Sequence, residues 1–395
     1  MITKIINGSI ITDRVEKNKY LYLENDKVLA VTDEEIPADS VIDANGNYVS
    51  PGFVDIHTHG AGGADFMDGT PEDVKTALRA HLAHGTTAIM PTTTTANPSA
   101  FRKALEDIRT VMQANHANLP HVLGAHLEGP YLSGAQSGAQ VPQYMKAPMK
   151  EEYTALIKEY GDVIKRWTFA PENEGALEFC QTLIKNDIVP SIGHTDATYQ
   201  DILPVYEAGC RLMTHFYSGM SLLKRKNGFR VLGAVETGYL LDDMRVETIA
   251  DGKHLPPELL RLIYKVKSAE NICMVTDSMR GAGVVGLKKM YLGPIADKNI
   301  TIIEDGVAKM PDRQNFAGSI ATTDRLVRVM HKEAGIDIVK VVEMLTRTPA
   351  KAMGIDKIGS LMPGYYADVV FFDHAINVSK VLLHGIPQWE KEHEV

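Results

Sequence analysis

At 395 residues the chain is too long for one ordinary core and suits a barrel of about 250 residues with a smaller second domain. Hydrophobic residues at 44% and charged residues at 23% match a soluble globular protein and exclude a disordered or fibrous chain. A net charge of −9 without a long Lys/Arg run argues against nucleic acid and membrane surfaces as partners and for a small-molecule substrate.

The opening MITKIINGSIITD has polar residues every few positions and lacks the apolar stretch of a signal peptide. No segment reaches the roughly 18 uncharged apolar residues of a membrane-spanning helix, so the sequence reads as cytoplasmic. Residues 1–50 alternate as short strands, with Asn25-Asp26 supplying a hairpin turn. Pro51-Gly52 then marks a change of rhythm to apolar run, loop and amphipathic helix, which predicts parallel strands. Eight runs fit: FVDI, TTAIM, VLGAHL, WTFA, IVPSI, RLMT, VETI and ICMVT, ending near Ile56, Met90, Leu127, Ala170, Ile192, Thr214, Ile249 and Thr276. Eight is the number of a (β/α)8 TIM-like barrel. PEDVKTALRAHLAHG is a typical intervening helix, with Pro71 in its first turn and Gly85 as its stop.

After the eighth run comes a stretch rich in Gly and Lys, then two helical patterns, TTDRLVRVMHKEAG and IVKVVEMLTRTPAKAMG, that close the barrel. GSLMPGYYADVVFFD and VSKVLLHGIPQW return to alternating strands. The expected architecture is therefore a barrel over 51–355 beside a β-sandwich domain built from 1–50 and 356–395. Cys180, Cys210 and Cys273 are odd in number and far apart, as buried apolar fillers are.

Active sites of such barrels lie at the C-terminal ends of the strands. There the sequence places His57-Thr58-His59, Glu128, His194, His215 and Asp277, with His254 a few residues beyond strand seven. His57 and His59, two apart on an extended segment, point the same way and can chelate one cation, although such a pair alone can be no more than hydrogen-bonded polar residues. With Glu128, His194 and His215 around one axis, they match the imidazole and carboxylate preference of Zn²⁺ or Fe²⁺. Asp277 is either a turn aspartate or the general base beside that metal. His254 is either a loop histidine or an electrophilic group beside it. His81 and His84 suit a helix C-terminus without a ligand role. His126 either faces inward behind the ligands or packs, and His116, His121, His331, His374, His384 and His393 have no strand-end logic.

In order, PGFVDIHTHGAGGADFMD, HLEGPYLSGAQSGAQ, APE, SIGHTDA, MTHFYSGMS, IADGKH, TDSMRGAG and AGSIATT resemble the N-acetylglucosamine-6-phosphate deacetylases of the amidohydrolase superfamily, from about residue 45 to PGYYADVVFFD. The resemblance implies that Glu128, His194 and His215 hold a principal divalent metal, zinc or iron, and that His57 and His59 support a second ion bridged by Glu128. It raises His254 to a carbonyl-polarising role and Asp277 to the proton shuttle. It places Gln140, Ser218, Gly219, Ala317, Gly318 and Ser319 with His254 against substrate. It implies a small-molecule amino sugar phosphate substrate, acetate and an amino sugar phosphate as products, and a homodimer.

One segment departs from that family. Its usual Asn-Ala pair and His-Arg-Glu-Pro-Gly segment are replaced by Tyr217-Ser218-Gly219-Met220 and by a run containing Lys224, Arg225, Lys226 and Arg230. Those cations either meet a phosphate, Arg225 and Arg230 foremost, or form a solvated basic loop. Deacetylation of N-acetylgalactosamine 6-phosphate or of an unphosphorylated sugar therefore stays open, as does a non-catalytic sugar-binding descendant. A cyclic amidohydrolase of the dihydroorotase type fits less well, because strand four ends WTFAPE without a bridging lysine.

Overall fold

The computed structural model describes residues 1–114 and 116–391, so His393 lies outside it. Eight parallel strands form the barrel: Phe53–Thr58, Thr86–Thr93, Ala125–Glu128, Ile164–Phe169, Val189–Ile192, Leu212–Met213, Arg245–Ile249 and Ile272–Val275. Each pairs with the next in sequence. The ring is drawn closed by backbone hydrogen bonds from Asp277 N to His57 O (2.9 Å) and from His59 N to Ser278 O (2.8 Å). All eight runs read from sequence are strands. They are apolar almost throughout because helices cover them outside and side chains fill the ring inside.

The helix Pro71–Leu82 shows how the outer layer is set locally. Thr70 accepts a hydrogen bond from Asp73 N, Pro71 occupies the first turn, and Gly85 leaves in the left-handed region at φ +97°. Behind the third and fourth strands Trp167, Tyr131 and Phe179 are buried together, Tyr131 stacked on Trp167 at 5.6 Å and Phe179 edge-on to the two at 5.0 and 5.1 Å. Burial of this kind contributes about 1.5–3 kcal/mol per large side chain.

The chain ends form two sheets. Ile2–Ile6, Tyr20–Glu24, Lys27–Thr32 and Ser40–Asp43 make one, its hairpin turning at Asn25-Asp26 as expected. The other contains Ser9–Ile11 and Tyr48–Pro51 from the N-terminal part with Val369–Phe372, Val378–Leu383 and Ile386–Glu390 from the C-terminal part. Ile5, Leu21, Leu23 and Val28 of the first face Val49, Val369, Phe371 and Leu382 of the second, which is the inner layer of a sandwich.

Two segments hold more structure than their sequence suggests. The Gly- and Lys-rich stretch after strand eight folds into an antiparallel sheet of Lys289–Tyr291, Ile300–Glu304 and Val307–Lys309. Its Met290 and Ala308 pack with Met279, Leu292 and Ala317. The basic run after strand six is a hairpin, Lys224–Lys226 with Phe229–Val231, turning at Asn227-Gly228 where both residues have positive φ. In both, strands of three to five residues are too short for their alternation to stand out. The cysteines are free and buried, as expected.

Candidate active site

The residues at the strand ends converge. His57 closes the first strand's inward run and is fully buried, with His59 two positions on and Glu128 the last residue of the third strand. His194, His215 and Asp277 each stand two residues beyond the last residue of strands five, six and eight. All three have left-handed φ, at +46°, +28° and +44°. A non-glycine residue held there costs about 1–3 kcal/mol, and such strain is retained where surrounding structure imposes it.

Glu128 is the common member. Its Oε1 lies 3.2 Å from His194 Nε2, 2.8 Å from His215 Nε2 and 3.6 Å from His57 Nε2, and its Oε2 lies 3.3 Å from His59 Nε2. Asp277 Oδ1 is 3.1 Å from His59 Nε2 and 3.4 Å from His57 Nε2. Two triads therefore share one carboxylate, His57/His59/Glu128 and Glu128/His194/His215, with the donor atoms of each within 4.8 Å of one another.

Burial alone raises a carboxyl pKa, yet the surrounding imidazoles hold Glu128 well below the ordinary carboxylate range and Asp277 below it too. Burial opposes charge on His59, but hydrogen bonds to Asp277 and Glu128 push it up to about 10. The two carboxylates thus demand positive charge inside a closed pocket. His57 Nε2 is buried without a hydrogen-bond partner among the described residues. A divalent cation would supply the missing charge and take that nitrogen, and imidazoles with a shared carboxylate are a donor set that divalent transition metals accept. The residues fit the metal.

A further layer fixes the ligands. Glu247, buried in strand seven, sits 3.1 Å from His57 Nδ1 and accepts from His215 N at 3.0 Å. Its other oxygen pairs with buried Arg166, which also donates to Ile56 O, Ser191 Oγ and Thr214 Oγ1. Burial works to raise the Glu247 pKa, but the charges of Arg166 and His57 and their hydrogen bonds bring it down to about 2. His194 Nδ1 bonds Gln136 O at 2.8 Å, which directs Nε2 toward Glu128. His126 is wedged between Thr92 and Thr168 with its ring at 4.6 Å from that of His57, and burial holds it neutral. His81 is buried as well, bonded to Thr58 Oγ1, so it lies beneath the His57-Thr58-His59 turn.

The centre opens into a cavity of about 260 Å³ lined by His59, Glu128, His194, His215, His254 and Asp277. Gln140, Ser218, Gly219 and Gly318 also line it. Gln140 donates to Glu128 Oε2 at 2.6 Å and is itself held by Thr95. His254 is anchored by Asp251, whose Oδ2 lies 2.9 Å from Nδ1. Ala317 and Ser319 are buried behind the wall, where Ser319 N donates to Asp277 O. Arg225 and Arg230 face each other on the exposed hairpin and do not line the cavity. A larger cavity of about 560 Å³ beside Phe101 and Tyr131 carries no imidazole.

Sequence reading missed Glu247, Arg166 and Asp251, and also the wall residues Thr94, Met279, Leu292, Gln314, Asn315 and Phe316. A carboxylate inside the run VETI and an arginine next to Trp167 were the available signals, because a charge within a buried strand needs a partner.

The amidohydrolase family model matches residues 48–391. The chain is 31% identical to an N-acetylgalactosamine-6-phosphate deacetylase of Escherichia coli O157:H7, over 89% of this chain and 90% of that protein. It is 29% identical to an N-acetylglucosamine-6-phosphate deacetylase of Bacillus subtilis (strain 168), over 95% and 94% of the two chains. Among solved structures, it superposes with a TM-score of 0.88 and 28% identity on a mutant N-acetyl-D-glucosamine-6-phosphate deacetylase of Mycobacterium smegmatis in complex with N-acetyl-D-glucosamine-6-phosphate, covering 98% of this chain and 99% of that one.

Proposed function

The chain belongs to the amidohydrolase family, and from that premise we propose that it hydrolyses the N-acetyl amide of an amino sugar phosphate, with N-acetylglucosamine 6-phosphate giving glucosamine 6-phosphate and acetate. The observation that carries the reading is the pair of triads sharing Glu128, with Asp277 at their edge and a cavity of sugar size in front.

Glu128, His194 and His215 would hold the principal divalent metal, and His57 with His59 would hold a second. Bound there, such an ion supplies hydroxide near neutral pH and polarises the amide carbonyl. The protein's own groups do the rest. Asp277, kept ionised by its imidazole neighbours, accepts the proton of the attacking water and delivers it to the departing amine nitrogen. His254, its Nδ1 tied to Asp251, lines the cavity and polarises the amide carbonyl as the oxyanion develops. Gln140 fixes the bridging carboxylate while Ser218, Gly219 and Gly318 bound the space for the sugar. Ala317 and Ser319 act from behind by setting the backbone beside Asp277.

The same reading takes 51–355 as the catalytic barrel and 1–50 with 356–395 as its sandwich, in a cytoplasmic homodimer. Exposed Leu222, Leu223 and Phe229 beside the basic hairpin support the dimer and give Arg225 and Arg230 a route to a neighbouring subunit's phosphate. The relative that acts on the galactosamine epimer favours a second reading, in which that epimer is the substrate.

Acetate release from N-acetylglucosamine 6-phosphate, N-acetylgalactosamine 6-phosphate and both unphosphorylated sugars, measured side by side, tests these readings. A preference for one phosphorylated epimer supports phosphate recognition and names the substrate. Equal rates with and without phosphate reject the phosphate role of the hairpin, and no acetate from any of the four rejects the deacetylase.

A further inference from the structure

A second group of metal-ligand side chains lies at the opposite end of the barrel. His121 opens a two-residue strand, His121–Val122, that pairs with Ala88 and Ile89. Asp368 immediately precedes the strand Val369–Phe372, and its carbonyl accepts from Gly52 N just ahead of the first barrel strand. His384 occupies the two-residue turn between Val378–Leu383 and Ile386–Glu390. Three segments far apart in sequence thus meet between the barrel's N-terminal face and the closing sheet.

Their geometry is that of a ligand set. His121 Nε2 lies 2.9 Å from Asp368 Oδ2, and the rings of His121 and His384 stand edge to face at 4.5 Å. One donor atom from each of the three residues lies within 4.8 Å of the others. Asp368 is 4% exposed and is oriented by the backbone N–H of His384, which donates to its Oδ1 at 3.0 Å. The ring of Tyr366 closes one side, 5.7 Å from His121 and 5.3 Å from His384.

A simple hydrogen-bonded clasp accounts for only part of this. The His121–Asp368 contact satisfies one imidazole and one carboxylate oxygen. It leaves His384 Nδ1 buried and without a hydrogen-bond partner among the described residues, an arrangement that is costly unless something occupies that nitrogen. His384 also has φ +50° in a turn whose two residues are both left-handed, where Asn is the usual first choice. An imidazole at that position incurs backbone strain and gains no hydrogen bond from its side-chain Nδ1. Beside the group a cavity of about 170 Å³, lined by His116, His121, Leu119 and His384, has room for water to complete a coordination sphere and brings a further imidazole to its wall.

We propose that His121, Asp368 and His384 form a separate binding site for a divalent transition cation of the zinc class, which ties the underside of the barrel to the C-terminal sheet. Two imidazoles and one carboxylate leave a fourth, water-filled position facing the cavity. Because the three ligands converge only in the folded chain, the bound ion stabilises the fold by mass action.

The test uses the holoenzyme equilibrated with zinc chloride, freed of unbound metal, and analysed for zinc per chain. Wild type is compared with His121→Gln and His384→Gln. Each variant is expected to hold one zinc fewer than wild type while releasing acetate at the wild-type rate, whatever number of ions the catalytic centre keeps. Zinc should raise Tm more in wild type than in the variants, whose catalytic centre still takes the ion. Equal zinc content in all three proteins overturns the site. If a variant does not fold, zinc-edge anomalous diffraction from wild-type crystals decides: a peak among the three side chains supports the site and none there at saturating zinc overturns it.

Discussion

Asp277 donates its backbone N–H to the carbonyl oxygen of His57 across 2.9 Å. The bond that joins the last barrel strand to the first also sets the acid 3.4 Å from the His57 imidazole, so closure of the ring and assembly of the site are one event.

Replacing Asp277 by Asn should lower kcat for acetate release by about 10²–10⁴-fold, the span of positioned acid–base catalysis. Asp277 belongs to neither ligand triad, so elemental analysis of the same preparation should find the wild-type metal content. A variant that keeps the full rate would remove Asp277 from the chemistry.

Glu128→Gln should lose metal and turnover together, since both triads use that carboxylate. Chelated wild-type enzyme should regain acetate release when zinc is restored, and the variant should not. Retention of the wild-type metal content by the variant would show that the imidazoles suffice.

Arg166→Met leaves the Glu247 carboxylate buried without its guanidinium, a loss of about 3–5 kcal/mol that denaturant titration should register. Arg166→Met combined with Glu247→Gln should recover part of it, because the uncompensated charge is gone. If the double variant is as unstable as the sum of the singles, the pair is not coupled.

Lys267 is buried and donates to the carbonyls of Gly238, Leu241 and Asp242 at 2.8 to 3.2 Å. Burial lowers its pKa from 10.5 to about 8. Between those values the unfolded chain holds more protons than the folded one, so this residue makes stability rise as pH increases from about 8 toward 10.5. Urea midpoints across that range should climb in wild type relative to Lys267→Met. Parallel pH profiles in the two proteins would contradict the shifted pKa.

The ring of strands and the inner ligands were legible because each strand is a short apolar run and each ligand a polar residue just past its end, as His194 and His215 are. Glu247 and Arg166 escaped because they lie inside their strands and are explained only by each other, across a sheet that sequence spacing does not reveal. The three-stranded sheet that bears Met290 and leads to Phe316 escaped for another reason. Its strands are bought by packing on Met279 and Ala317, and a lone triplet such as Lys289–Tyr291 carries no periodicity. Arg225 and Arg230 illustrate the opposite case: the basic run was visible, but its placement on an exposed hairpin was not.

Tyr48–Pro51 runs straight into the strand that carries His57, and its antiparallel partner is Val369–Phe372. On a ribosome the strand just ahead of the barrel therefore waits without this antiparallel partner until nearly the whole polypeptide has emerged. Helices such as Pro71–Leu82 can form early from local contacts, whereas this seam closes a very long loop and must come late. A nascent chain stalled before residue 369 would hold every catalytic side chain and still lack the strand that flanks Tyr48–Pro51.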